Sequence, residues 1–208
     1  MSGTTIKIRS LLAAVILMLT AGTLAGQSGS RSLKLIVGTG YGHYFNTFTN
    51  VQDEDIMNNR LCISARLMWQ PEHLVGIGFE SGYYQFYSTT RIETGTSSQK
   101  LTTSMNVVPL FLCLSMKATP HFRVNIGTGG ALMNYRIQTN KSAKGVMTGQ
   151  VLSMADFTAG CSWFIPAGKR FEFGTEFKYI YIGKTSDHHV SAMLTVAYSI
   201  INRELTKQ

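Results

Sequence analysis

The sequence predicts an all-β fold, an eight-stranded antiparallel up-and-down transmembrane β-barrel preceded by a signal peptide. Eight segments alternate apolar and polar residues, which is the period of a strand with two different faces. The connections between these segments alternate short and long, as they do in barrels of bacterial outer membranes. A short apolar run near the N-terminus has the flanks of a secretion signal.

We expect residues 1–25 to be the signal peptide and residues 26–208 to be the barrel domain. The N-terminal segment carries Lys7 and Arg9 and no acid, residues 11–19 are almost entirely apolar, and small residues follow. These are the three parts of a secretion signal. The apolar run is shorter than the roughly 20 residues that a membrane-spanning helix needs. No later run approaches that length, so strands must make any membrane crossing.

Charge and cysteine content exclude several other classes of protein. The formal net charge of +8 includes Lys7 and Arg9, and the basic residues are scattered without a Lys/Arg block, so we expect no nucleic-acid partner. Cys62, Cys113 and Cys161 each lie within an apolar segment and lack the spacing of a zinc site. We interpret these cysteines as small apolar residues on strand faces.

The connections predict which end of the barrel faces which compartment. Three of them are tight and contain Pro or Gly, at residues 70–73, 118–121 and 166–169. Four are interpreted as longer polar loops, at residues 46–59, 88–100, 139–148 and 183–188. Short turns are periplasmic and long loops are extracellular in outer membrane barrels, so both chain ends are expected on the periplasmic side.

The first two predicted strands, residues 32–45 and 60–70, show clear alternation. In the first, apolar residues such as Leu33 and Leu35 alternate with Lys34 and several glycines. In the second, Arg66 falls on the face opposite Leu67. A lipid-facing arginine at mid-membrane would cost roughly 2–4 kcal/mol, so we place Arg66 inside the barrel.

The third and fourth predicted strands, residues 73–88 and 101–117, are less regular. The third places Glu80 and glycines opposite Phe79 and then reaches a group of aromatic residues, Tyr83, Tyr84, Phe86 and Tyr87. We expect that group at the membrane–water interface. In the fourth, residues 107–112 are all apolar, which indicates one face on lipid and the other on an apolar layer of the lumen. Pro109 cannot donate to a ladder and is expected at a bulge.

The last four predicted strands are residues 122–138, 149–165, 170–182 and 189–201. Arg123 lies opposite Val124 in the fifth strand, and Asp156 lies opposite Phe157 in the sixth. The seventh has the clearest alternation: its outward face is Phe171, Phe173, Thr175, Phe177, Tyr179 and Tyr181, and its inward face is Arg170, Glu172, Gly174, Glu176 and Lys178. In the eighth, Val190 and alternate apolar residues lie opposite small polar ones.

The inward charges predict a lumen closed by salt bridges. An eight-stranded barrel is just wide enough inside for side chains to fill it, and a buried charge without a partner is very unfavourable. We therefore predict a charge network of Arg66, Glu80, Arg123, Asp156, Glu172, Glu176 and Lys178. Glu172 and Glu176 could also be an acid–base pair for glycoside chemistry, but a sugar could not enter a packed lumen.

Other candidate sites have weaker patterns. His188 and His189 follow Asp187, but adjacent residues of an extended segment point to opposite sides, so a shared metal ion is not expected. The acidic run of residues 53–55 lacks the spacing of a calcium loop. We predict no catalytic residue, no metal site and no cofactor.

Several short motifs lie along the mature chain: Val107-Val108-Pro109-Leu110, Gly127-Thr128-Gly129-Gly130, Ala155-Asp156 with Gly160, residues 172–179, and Ala197-Tyr198. In these motifs the chain resembles the outer membrane β-barrel domain proteins common in Bacteroidetes-type bacteria. The resemblance implies a barrel inserted by the outer membrane barrel assembly machinery and brings no catalytic residues. Such barrels usually end on an aromatic residue, whereas this chain continues past Tyr198 to Gln208.

The expected function is that of an integral outer membrane protein with a closed lumen and a structural or surface-interaction role. Its expected partners are outer membrane lipid, the assembly machinery and any extracellular ligand held by the long loops. One alternative is a lipid-modifying enzyme at the barrel rim, with a serine activated by His43 or His188. Another is a soluble periplasmic ligand-binding barrel, which would carry its apolar face inside and its polar face outside.

Overall fold

The structure, a computed structural model, describes residues 31–45, 55–57, 59–71, 74–93, 99–139 and 146–203. The predicted signal peptide lies outside these residues. The strands are β1 Arg31–Phe45, β2 Asp55–Met57, β3 Asn59–Gln70, β4 Val75–Glu93, β5 Gln99–Lys117, β6 Phe122–Thr139, β7 Val146–Ala167, β8 Phe171–Ile182 and β9 Asp187–Arg203. Within the described ranges, no helix is long and apolar enough to cross a membrane.

Eight long strands close into an antiparallel ring. Neighbours in the ring follow the order β3, β1, β9, β8, β7, β6, β5 and β4, and β4 pairs with β3 to complete it. The first and last strands pair antiparallel from Arg31–Arg203 to Phe45–His188, with one register shift between Leu33 and Lys34, so the start of β1 and the end of β9 lie at the same mouth. The three-residue β2 pairs with the outer part of β4 and extends the wall. The predicted fold class is confirmed.

Several predicted loops are shorter than expected because the strands continue beyond their predicted ends. β4 runs to Glu93 and β5 begins at Gln99, so most of the predicted loop 88–100 is paired strand. β7 begins at Val146, inside the predicted loop 139–148. The predicted long loop 183–188 is wrong, because only the turn at residues 183–186 separates β8 from β9. Polar sequence in these hairpins concealed the ladder, since solvated strands lack an apolar face.

The alternation of the sequence corresponds to the two sides of the wall. On β3, Arg66 is 3% exposed whereas the following Leu67 is 42% exposed. On the irregular β5, Val107 and Phe111 are buried in the lumen whereas Leu110 and Leu112 point outward. The two-sided interpretation of β5 is therefore confirmed.

The sequence predicted that Pro109 lies at a bulge, and this prediction is wrong. Pro109 keeps its place in the ladder with β6 opposite Ala131, and the interruption occurs on its other side. There the β4–β5 ladder is paired at Ser81–Leu110 and at Tyr84–Val107 but not at the two positions between. The Ser81 hydroxyl donates to the Pro109 carbonyl at 2.8 Å across this gap. Because the β4–β5 ladder is unpaired at this point, the N–H that proline lacks is not needed, and neither strand carries an extra residue.

The aromatic group on β4 was wrongly placed at the membrane interface. Tyr84 and Phe86 are fully buried in the lumen, and Tyr87 packs inward with its ring centroid 5.1 Å from that of Tyr44. Tyr83 is the member that points outward. The β4–β5 ladder shifts register between Gln85 and Tyr87, so the bulge brings consecutive aromatic residues to the inner side.

Glycines on the inner face of β1 permit the close approach of β9. A Cβ on Gly40 would lie 2.6 Å from the Cα of Met193 and nearer still to the carbonyl of Ala192. Both contacts are with backbone, which cannot turn away as a side chain can. The seam that closes the barrel therefore depends on the absence of a side chain at position 40.

We predict that Gly40→Val will lower the free energy of unfolding of the closed barrel by about 1–3 kcal/mol, because the added side chain overpacks the β1–β9 seam. Urea unfolding of the protein refolded in lipid vesicles measures the effect. The control is Thr39→Val, which places the same valine side chain on the outward face of the same strand without adding volume. Equal stabilities of the two variants would contradict this account of the seam.

Candidate functional site

Four charged side chains meet at the centre of the lumen. We call them the central cluster: Arg66 on β3, Glu80 on β4, and Glu176 and Lys178 on β8. Arg66 Nε lies 2.8 Å from Glu80 Oε2, and its Nη2 bonds Glu176 Oε1. Lys178 Nζ lies 2.5 Å from Glu80 Oε1 and 3.5 Å from Glu176 Oε1. Each carboxylate therefore contacts both cations, and the formal charges cancel.

The central cluster joins opposite walls of the barrel. Arg66 and Glu80 are direct partners across the β3–β4 ladder. Glu80 and Lys178 lie on β4 and β8, which are four strands apart in either direction around the ring. All four side chains are at most 3% exposed. The ion pairs therefore span the lumen and leave little of it to solvent.

Uncharged groups complete the coordination of Glu80. The Tyr84 hydroxyl lies 3.3 Å from Glu80 Oε1, and Lys178 Nζ donates to the same hydroxyl at 3.3 Å. The Cys113 thiol donates to Glu80 Oε2 at 3.7 Å. The inward position of Tyr84 was not predicted from the sequence, because the whole aromatic group was assigned to the membrane–water interface. Its parity with Glu80 along β4 was the signal that could have placed it inside.

A second group of charges lies nearer the short-turn end of β8. Glu172 accepts hydrogen bonds from Lys34 Nζ on β1 and from Arg123 Nη2 on β6, the latter at 2.8 Å. The Arg123 guanidinium also lies over the ring of Phe164, 4.8 Å from its centroid. Lys34 was absent from the predicted network, although its alternation with Leu33 and Leu35 indicated an inward position.

Asp156 is buried but bonds to uncharged groups. Its Oδ1 accepts from the Ser153 hydroxyl at 2.5 Å and from the backbone N–H of Gly183 at 2.9 Å. These contacts hold a bulge of β7 in which Ala155 has a positive φ of 65°. Oδ2 has no hydrogen-bond partner among the described residues. Asp156 thus connects β7 to the β8–β9 turn through hydrogen bonds. It does not join the ion pairs that the other six residues of the predicted network form.

The end of the lumen toward the long hairpins is apolar and aromatic. His189 is fully buried, and its ring stacks on Phe86 with 4.8 Å between centroids. Asp187 accepts hydrogen bonds from the hydroxyls of Tyr44 at 2.6 Å and Thr185 at 2.5 Å. The sequence assigned Thr185 and Asp187 to a loop, and so missed them as parts of the lumen. Ile180 and Ile182 of β8 are buried at the same end.

The contacts of the candidate histidines bear on the metal and enzyme alternatives. His188 and His189 point to opposite sides of β9, as predicted, and His188 Nδ1 is 2.6 Å from the Tyr179 hydroxyl. His43 Nδ1 is 2.6 Å from Asn59 Oδ1. The described contacts of these two exposed-rim imidazoles are thus with a phenol and an amide rather than with a serine. No group of three potential metal ligands occurs within the described ranges.

The cysteines are unpaired. Cys62 and Cys113 are buried on the lumenal face, and Cys161 is half-buried. The acidic run at residues 53–55 includes positions outside the described residues, so the structure does not bear on it.

Comparisons with known proteins give similarity in fold only. No family model matches the chain and no curated protein matches its sequence, so the Bacteroidetes-type family is not supported. Ail, the attachment invasion locus protein of Yersinia pestis, is 10% identical over 84% of this chain and 100% of its own, with a TM-score of 0.46. Neisserial surface protein A is 11% identical over 81% and 97%, with a TM-score of 0.38. The outer membrane protease OmpT from Escherichia coli is 7% identical over 82% and 96%, with a TM-score of 0.41.

We predict that Arg66→Met will lower the free energy of unfolding by about 3–5 kcal/mol, because it leaves two buried carboxylates to share the single cation Lys178. The double variant Arg66→Met, Glu176→Gln removes one charge of each sign and should recover part of that loss. Urea unfolding of the four proteins in the double-mutant cycle measures the coupling. Additive effects would show that the two side chains do not depend on each other.

Proposed function

We propose that this chain is an integral outer membrane protein with a closed lumen, serving a structural or surface-interaction role without catalysis. The observation that carries the proposal is the polarity of the wall, which is charged inside and apolar outside. A soluble ligand-binding barrel requires the reverse arrangement. Outer membrane lipid is then the first partner, and the barrel assembly machinery is the expected route of insertion.

The outer surface supports the lipid contact. Large apolar side chains point outward from every wall of the ring, among them Phe79 at 62%, Leu110 at 64% and Leu194 at 70% exposed. A soluble monomer rarely exposes a contiguous apolar patch of more than a few hundred Å². A belt that surrounds the whole barrel is stable where the surrounding medium is itself apolar.

The central cluster supports the closed lumen. Its ion pairs cross between β4 and β8, and aromatic and aliphatic side chains fill the space toward the long hairpins. A packed eight-stranded interior leaves no water-filled channel of the kind that large porins have. Interactions with other molecules are therefore expected at the two mouths and on the hairpins rather than through the barrel.

We predict that Leu194→Arg will destabilise the barrel in phosphatidylcholine vesicles by about 2–4 kcal/mol, because Leu194 lies near the midpoint of β9 on its outward face. Val190→Arg is the matched control, because Val190 lies on the same face of the same strand but nearer the rim of the barrel. It should cost about 0–1 kcal/mol, since an arginine near the interface reaches water. Urea unfolding in the vesicles measures both.

The comparison of these two arginine variants separates the membrane proposal from its soluble alternative. If the outer face lay in water, a single arginine would be accommodated at either position with little change in stability. Equal and small effects of Leu194→Arg and Val190→Arg would therefore overturn the proposal that this face contacts lipid.

A further inference from the structure

A cavity of about 340 Å³ opens at the short-turn mouth of the barrel. Five basic side chains line it, and we call them the basic mouth: Lys34, Lys117, Arg123, Lys169 and Arg170. They come from the start of β1, the end of β5, the start of β6 and the turn before β8, so the ring closure brings them together.

The charges of the basic mouth are incompletely balanced. Glu172 is the one carboxylate among the described residues that line the cavity, and it bonds Lys34 and Arg123. Arg170 Nη1 contacts the Tyr198 hydroxyl at 3.2 Å, which is a neutral group. Among the described residues that line the cavity, five cations face one anion, and such an excess creates a positive potential in a concave, partly desolvated site, where field lines are focused.

We propose that the basic mouth binds a phosphate-bearing anion. Arginine guanidinium and lysine ammonium groups are the side chains that recognise phosphate oxygens best, through short charge-assisted hydrogen bonds. Ser32 and Ser199 also line the cavity and can donate from their hydroxyls. The volume lies within the range of small-molecule sites and accommodates two linked phosphate groups or a phosphorylated headgroup.

The interior of the barrel limits how far such an anion can enter. A second cavity beside the basic mouth, lined by Met68, Gly76 and Ser115 together with three basic-mouth residues, has a volume of about 10 Å³, which is room for roughly one water. The central cluster farther along β8 has no net charge and offers no free cation. The proposed site is therefore a terminal pocket and does not lead into a pore.

Titration calorimetry of the full-length mature protein in an uncharged detergent, with inorganic pyrophosphate as the probe, tests the site. The double variant Lys169→Gln, Arg170→Gln should weaken pyrophosphate binding about tenfold or more, because each lost charge removes a charge-assisted contact. The matched control is Arg136→Gln, Lys184→Gln. It also removes one exposed lysine and one exposed arginine, but from the opposite end of the barrel.

The control variant should bind pyrophosphate within about twofold of the unaltered protein, and binding should weaken as salt is added, since the attraction is electrostatic. Lys117→Gln should also weaken it, from the other side of the cavity. The proposal is overturned if the unaltered protein does not bind pyrophosphate. It is equally overturned if both double variants lose affinity to the same extent, because the effect would then follow net charge alone.

Lipid bilayers distinguish a soluble phosphate from a lipid headgroup as the occupant. The same titration is made in nanodiscs of phosphatidylcholine alone and of phosphatidylcholine with phosphatidylglycerol. A lower pyrophosphate affinity in the anionic discs than in the neutral discs would assign the site to a lipid headgroup, provided that this difference between discs is smaller for Lys169→Gln, Arg170→Gln than for the unaltered protein. Equal affinity in both discs would assign it to a soluble phosphate compound.

Discussion

The pairing of charges across the lumen is the constraint on which the rest of the barrel depends. Arg66 and Lys178 each need a carboxylate because neither can reach water, and the two glutamates that serve them come from opposite walls. Replacing such a cluster by apolar groups is often neutral in stability, so its contribution lies in specificity. A strand that slipped by one residue would carry its charge to the outer face, where lipid would exclude it.

The same constraint explains the distribution of small and apolar residues. Long charged side chains need space in a narrow lumen, and inward glycines such as Gly40 and Gly78 place no side chain there. Above the central cluster, β8 continues inward with Ile180 and Ile182, which need no partners. The outward face is free of these demands and is predominantly apolar. One polarity rule, reversed from that of soluble barrels, therefore accounts for both sides of the wall.

The sequence alone was sufficient to predict the eight long strands, most of their faces and the inward position of the charges, because each wall has two chemically different sides. It could not predict which charges meet. Glu80 and Lys178 are neighbours only because the ring closes with a particular stagger, which depends on all its ladders together. Neither the bulge at Phe86 nor the four-residue turn before Asp187 was predicted, because neither changes the alternation of apolar residues from which the strands were assigned.

Electrical recording tests the central account, that paired charges close the lumen, most directly. The protein is inserted into a planar phosphatidylcholine bilayer in concentrated potassium chloride, with the protein-free bilayer as the control. A lumen filled by the central cluster predicts no steady conductance above that of the lipid alone. Steady conductance steps that grow with salt concentration would show a continuous water path through the barrel and would contradict the account.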